Sequence, residues 1–120
     1  MDLGLREKAA VVTGASKGIG PSIALRLAEG GAGVAICDVG DPEALDGFLE
    51  AAHASLGRVD ILVNNPSGIG FADDPATWQS TLNVDLMAAV RAGWKVTPWM
   101  AGWVTGVCLA VDGAQHKGNL

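Results

Sequence analysis

Apolar residues fall along this chain in two rhythms. Ala9 to Thr13 (AAVVT), Val34 to Cys37 (VAIC), Val59 to Val63 (VDILV) and Trp103 to Val111 (WVTGVCLAV) are short, largely unbroken runs rich in β-branched residues. Runs of that length read as strands buried on both faces, the form that parallel sheets take. Between them the apolar positions recur at helical spacing. Ile23, Ala24, Leu27 and Ala28 do so from Pro21 to Glu29. Leu45, Phe48, Leu49 and Ala52 do so after Asp41-Pro42, and Trp78, Leu82, Leu86, Ala89 and Val90 after Asp74-Pro75. The repeat i, i+3, i+4, i+7 marks one face of a helix.

The punctuation agrees with that division. Pro21 suits a first helical turn, where its missing N–H is no loss, and Asp41-Pro42 and Asp74-Pro75 each join a capping acid to such a proline. Gly30-Gly31 and Gly57 end the first two helices. The order is β-α-β-α-β-α-β, which predicts an α/β fold of three layers around a parallel sheet with right-handed crossovers. No repeat or linker divides the chain, so residues 1–120 are expected to form one domain, with a loose polar tail from Gln115 to Leu120.

Composition narrows the function. Eight Lys and Arg against 13 Asp and Glu give a net charge of −5, without the basic patch of a nucleic-acid binder or a protein of anionic membranes. No apolar stretch approaches the ~18 residues of a membrane span, and Met1 to Leu5 does not open a secretory signal. Cys37 and Cys108 sit within apolar runs and read as small buried hydrophobes; a disulfide between them is the alternative. His53 and His116 lack ligand-like neighbours and are expected at the surface, so no metal is expected. These features predict a cytoplasmic protein. The chain contains no tyrosine, which excludes chemistry that needs a phenolic hydroxyl.

Gly makes up 17 of the 120 residues, and its densest cluster is the loop Thr13-Gly14-Ala15-Ser16-Lys17-Gly18-Ile19-Gly20 between the first strand and the first helix. Glycines there let the backbone approach a phosphate, while the helix N-terminus offers unpaired N–H groups and the positive end of its dipole. A plain glycine-rich turn is the other reading of the loop alone. In TGASKGIG, however, the TGxxxGxG spacing resembles that of the short-chain dehydrogenase/reductase family. Val59 to Asn65 (VDILVNN) is similar to that family's (V/L)DILVNNAG strand, with Pro66-Ser67-Gly68 where Ala-Gly is usual. Trp78 to Leu86 (WQSTLNVDL) resembles its helix leading to an active-site Asn, and Trp103 to Gly113 its last strand.

The resemblance implies a Rossmann-like fold and NAD(P)-dependent oxidoreductase chemistry. It assigns cofactor binding to Gly14, Ser16, Lys17, Gly18, Ile19, Gly20, Asp38, Asn64 and Pro66. Asp38 ends the second strand, where a carboxylate would hydrogen-bond the adenosine ribose and disfavour a 2′-phosphate, so NAD is favoured over NADP. Two family blocks are missing. The chain passes from the second strand directly into Asp38 to Leu45, as if two segments were spliced at one shared Asp, and Asp38 descends from either strand end. Met100-Ala101 passes almost directly into the last strand, without the family's Ser strand and Tyr-x-x-x-Lys helix. Asp85 stands where the family's active-site Asn would align, and is expected to be a solvated or structural carboxylate. No catalytic residue is therefore assigned.

In family terms the remaining strands would lie in the order 2-1-4-7, a reduced sheet of about four strands with one helix on one face and two on the other. Ile61, Val63, Val107 and Leu109 would then meet water on the thinly covered side. Trp94, Trp99 and Trp103 crowd the second junction, either packing in the core or forming an exposed patch; the exposed sheet face predicts self-association. The expected function is weak binding of NAD, or of an ADP-like ligand, without hydride transfer. A ligand-free minimal or engineered α/β scaffold and an active carbonyl or alcohol oxidoreductase are the alternatives.

Overall fold

The computed structural model describes residues 2–38, 41–68 and 72–100. The strand β1 spans Ala9–Thr13 and every residue of it is buried. It lies between two parallel neighbours, β2 (Gly33–Cys37) and β3 (Ile61–Val63), in the order β2-β1-β3. Val11 pairs with Ala35 on one side and Leu62 on the other; Val12 pairs with Ile36 and Val63. A central strand with a neighbour on each side has both faces to bury, which is why AAVVT carries no alternation. These three strands form the 2-1-4 part of the expected sheet, in an α/β, Rossmann-like arrangement. The expected last strand, Trp103 to Val111, and with it Cys108 and His116, lies outside the described residues.

The helix α1 (Ile19–Glu29) starts two residues before Pro21, with Gly18 at its N-cap. It packs on β1 and β2, on the side of Ala10 and Val12. The opposite side of the sheet carries α2 (Pro42–Leu56), which Asp41 caps by accepting from the Glu43 N–H and which Gly57 ends in a left-handed conformation. Its predicted face is the one buried: Leu45, Leu49 and Ala52 pack with Val11 and Val59, with Phe48 at the margin. Ile61 and Val63 share the α1 side, yet α1 covers β1 and β2, and both residues stay partly exposed.

The third helical region departs from expectation. It runs as α3 (Pro75–Leu82), a π-helical turn (Asn83–Met87) and α4 (Ala88–Met100). Asp74 caps α3 through the Thr77 N–H, as its position before Pro75 predicts. The buried face, however, is not the large apolar stripe. Trp78, Leu82 and Leu86 are exposed, and Ala88, Ala92 and Val96 enter the core instead. Two faces of this segment are apolar, and α4 packs against α2. Two alanines at the contact let the helices approach closely, and the π turn adds a residue that rotates the stripe away from the sheet.

Two further expectations change. His53 is half-buried rather than a surface residue, because its ring stacks parallel on Trp99 with centroids 4.2 Å apart. Trp99 thus joins the margin of the core while Trp94 is exposed, so these two divide between the two readings, and Trp103 lies outside the described residues. Cys37 pairs with no other cysteine among the described residues and is only partly buried at the end of β2. The exposed large apolar side chains in the described residues lie mainly on helices; Ile36 is the one on the sheet. No helix among them is long and apolar enough to cross a membrane.

Candidate nucleotide site

All three strands release their chains at the same edge of the sheet, and a cavity of about 430 Å³ opens there. Parallel α/β sheets bind ligands outside their carboxyl ends, where successive connections leave in opposite directions. Here that point lies between β1 and β3. The loop after β1 contributes Gly14, Ser16, Lys17, Gly18 and Ile19, β2 leads to Asp38, and the loop after β3 contributes Asn65 and Ser67. Val84, from the π turn, completes the lining.

The loop after β1 is fixed before any ligand arrives. Ala15 N–H donates to the Cys37 carbonyl at 2.9 Å, extending the β1–β2 ladder into the loop. The buried Thr13 hydroxyl donates to the Val63 carbonyl at 3.3 Å and accepts from Asn65 N–H at 3.4 Å, tying the ends of β1 and β3. Asn65 Nδ2 donates to the Gly14 carbonyl at 2.9 Å.

The three glycines divide their tasks. A Cβ on Gly14 would lie 2.1 Å from the Asn65 carbonyl oxygen, and one on Gly20 would lie 2.6 Å from both Ala15 Cα and the Gly14 oxygen. Both residues are glycine because backbone packs against them. Gly18 is different: with φ 71° and ψ −132° it occupies a region nearly closed to other residues, yet a Cβ there would meet nothing within 4 Å. Gly18 lines the cavity at the N-cap of α1, where no side chain takes up the helix N–H groups. An uncapped helix start beside open space suits an anionic group. Pro21, at the third position of α1, removes one of the donors that such a terminus normally offers.

Six of the nine sequence-assigned residues line the cavity: Gly14, Ser16, Lys17, Gly18, Ile19 and Asp38. Gly20 is buried behind the loop, and Asn64 and Pro66 are not part of the lining. Of the two adjacent asparagines it is Asn65 that turns toward the loop, since neighbouring side chains leave an extended backbone on opposite sides. The Ser16 hydroxyl donates to Asp38 Oδ2 at 2.9 Å, so the acid at the end of β2 meets the glycine loop at the cavity rim. Beside it the Cys37 thiol is pushed up to about 11, first by burial and then by the Asp38 charge. Asp85 is a structural carboxylate: its Oδ1 accepts from Gly68 N–H and holds the loop after β3 against the π turn.

Residues 34–114 match the family model of the short chain dehydrogenases. The chain belongs to the short-chain dehydrogenase family. It is 31% identical to the 1-deoxy-11-beta-hydroxypentalenate dehydrogenase of Streptomyces exfoliatus, over 79% of this chain and 42% of that protein. It is 33% identical to the 7alpha-hydroxysteroid dehydrogenase of Escherichia coli K12, over 58% of this chain and 37% of that one. The L-sorbose reductase of Gluconobacter frateurii, solved with NADPH and L-sorbose, superimposes with a TM-score of 0.73 at 32% identity, over 83% of this chain and 50% of that one. The chain thus spans less than half the length of these sequence relatives. The match to the Streptomyces protein extends over 121 positions, more than 79% of a 120-residue chain can fill. That relative therefore carries residues inside the matched span that are missing here, in keeping with an internal excision.

Proposed function

We propose that this family member binds the adenosine-diphosphate half of a nicotinamide dinucleotide, as a single domain over residues 1–120, and does not by itself transfer hydride. The observation that carries the reading is Gly18: a backbone conformation reserved for glycine, at an uncapped helix N-terminus that lines the cavity, with open space where a Cβ would stand. A pyrophosphate placed there would meet the N–H groups of Gly18 and Ile19 and the Lys17 ammonium. The adenosine ribose would reach Asp38, displacing or sharing the Ser16 hydroxyl. The Asp38 carboxylate would repel a 2′-phosphate, which favours NAD over NADP. Lys17 acts in the other direction, and the related L-sorbose reductase was solved with NADPH.

A bound nicotinamide would supply the hydride. The family's reaction also needs a phenol to exchange the proton, and these 120 residues contain no tyrosine. General acid–base catalysis is worth about 10²–10⁴-fold, and here the donor is lost together with its Lys and Ser.

Calorimetric titration tests this reading. ADP, ADP-ribose and NAD should bind weakly and about equally, NADP more weakly, and Gly18→Val should abolish binding of all four. NADH should not be oxidised by a panel of carbonyl compounds. If NAD binds far more tightly than ADP, a nicotinamide pocket exists and the half-site reading fails. If neither binds, the loop is only a turn and the ligand-free scaffold replaces it.

A further inference from the structure

We infer that the outer edge of β2 is a docking edge, and that two copies of this chain pair their β2 strands antiparallel about a two-fold axis at Ala35. Among the described residues β2 and β3 each have one neighbouring strand, so each leaves an edge unpaired. The ladder defines which groups of β2 remain. Gly33 N–H donates to the Lys8 carbonyl, and the Cys37 carbonyl accepts from Ala15 N–H, so Gly33, Ala35 and Cys37 turn their backbone groups toward β1. Successive residues of a strand present these groups to opposite edges, so the N–H and C=O of Val34 and Ile36 point outward. Native sheets defend such edges with charge, proline or shortness. β3 is three residues long, follows the Arg58–Asp60 ion pair and precedes Pro66. β2 has none of these defences. Its five residues pair with β1 without a bulge and include no charge and no proline, and Ile36 keeps 51% of its surface in water.

The edge is complementary to itself. With Ala35 on the axis, Val34 of each copy lies opposite the other copy's Ile36, and the outward N–H and C=O groups of these residues satisfy one another, as an isologous contact demands. Val34 and Ile36 pair with Ala10 and Val12 and so share the α1 side of the sheet. Each exposed Ile36 therefore meets the other copy's Val34 on one face. Ala35 meets its own counterpart in the closer kind of antiparallel pair, about 4.5 Å between Cα atoms, where a small side chain fits. The strand ends match in charge. Asp38 follows Cys37, and antiparallel pairing carries it to the start of the other copy's β2. There Arg6 lies over Gly31, its Cγ 3.0 Å from where a Gly31 Cβ would stand, and it pairs with no acid among the described residues. Opposite signs thus meet at both ends, whereas parallel pairing would set Asp38 beside Asp38. The edge has no charge or pocket of its own that would select a strand of different sequence. Two five-residue edges bury less than the about 800 Å² per partner of a standard interface, so the dimer is concentration-dependent. This places self-association on the edge of the sheet and not on its thinly covered face.

Sedimentation of the full chain over a concentration series, joined to amide exchange, tests the pairing independently of nucleotide binding. The native chain should pass from monomer to dimer, and the amides of Val34 and Ile36 should gain protection in step with it. Ile36→Pro removes a donor that the β1 ladder does not use. Two of the four hydrogen bonds across the axis go with it, and association should weaken at least about tenfold. Ile36→Lys keeps the N–H, sets two ammonium groups at diagonal positions across the axis, and should weaken association as much; it decides the question if the proline variant does not fold. The register has its own test. Gly33 lies opposite the other copy's Cys37 in a pair of about 4.5 Å between Cα atoms, within disulfide reach. In a chain carrying Cys108→Ser, Gly33→Cys should therefore give a covalent dimer under mild copper–phenanthroline oxidation, and adding Cys37→Ser should abolish it. A native chain monomeric throughout the series, association indifferent to both Ile36 variants, or no covalent dimer with Gly33→Cys would each overturn the inference. Protection of the Val34 and Ile36 amides already complete in the monomer would overturn it as well, since the chain itself would then cover the edge. So would protection that only a different protein brings.

Discussion

Replacing Gly14 and Gly18 in turn by alanine separates the two kinds of glycine in the loop. Gly14 sits at φ 62°, where a Cβ costs about 1–2 kcal/mol. The new methyl would also stand 2.1 Å from the Asn65 oxygen and 2.9 Å from Pro66 Cα. These are backbone atoms, so no rotamer change relieves the clash; the loop after β3 must move. Overpacking of this sort costs about 1–3 kcal/mol, and the movement breaks the Asn65–Gly14 hydrogen bond, worth about 1 kcal/mol. The sum is about 3–6 kcal/mol, a large part of the 5–15 kcal/mol that a domain has. At about 4 °C or more per kcal/mol, the melting temperature should fall by about 12 °C or more. Gly18→Ala meets no atom and carries only the backbone penalty, about 1–3 kcal/mol. Its larger effect should be on ADP binding, weakened at least about tenfold. Thermal unfolding and titration of both variants give the answer. If Gly14→Ala melts within about 4 °C of the native chain, or Gly18→Ala is the more destabilising of the two, the division of roles is wrong.

Two further outcomes follow from titratable groups. The folded chain holds the proton of Cys37 up to about 11, against an ordinary 9.0, so the neutral thiol's contribution to stability is complete below pH 9 and is lost as pH rises toward 11. Below pH 9 the folded thiol should alkylate roughly a hundredfold more slowly than in denaturant, read at the Cys37 peptide by mass spectrometry; equal rates would contradict the burial. Asp60 accepts from Ala9 N–H and from Arg58, and chiefly the Arg58 bond holds its carboxyl below the ordinary 3.8. Its contribution is therefore present above about pH 4 and lost as pH falls below, and Asp60→Asn should flatten the acid limb of the stability curve and cost about 1 kcal/mol at neutral pH. An acid limb unchanged by the substitution would show that the pair is merely superficial.

Local signals determined much of this protein from sequence. β1 was legible to the residue because a strand buried on both faces needs an unbroken apolar run. The α2 boundaries were legible because Asp41 and Gly57 satisfy backbone groups at either end of the same helix. The glycine loop was legible because its spacing is a backbone requirement, and five of the six residues assigned within it line one cavity. Tertiary structure decided what depends on rotation and partners. Nothing local distinguishes Asn64 from Asn65; the close approach of Gly14 selects the second. Nothing in WQSTLNVDL announces a π turn, so Val84 at the cavity and Asp85 on Gly68 could not be foreseen. The segment has two apolar faces, and hydropathy alone favours the one with Trp and Leu. Contact with α2 chose the alanines, because a close helix–helix approach rewards small side chains, and that choice left the larger residues facing water.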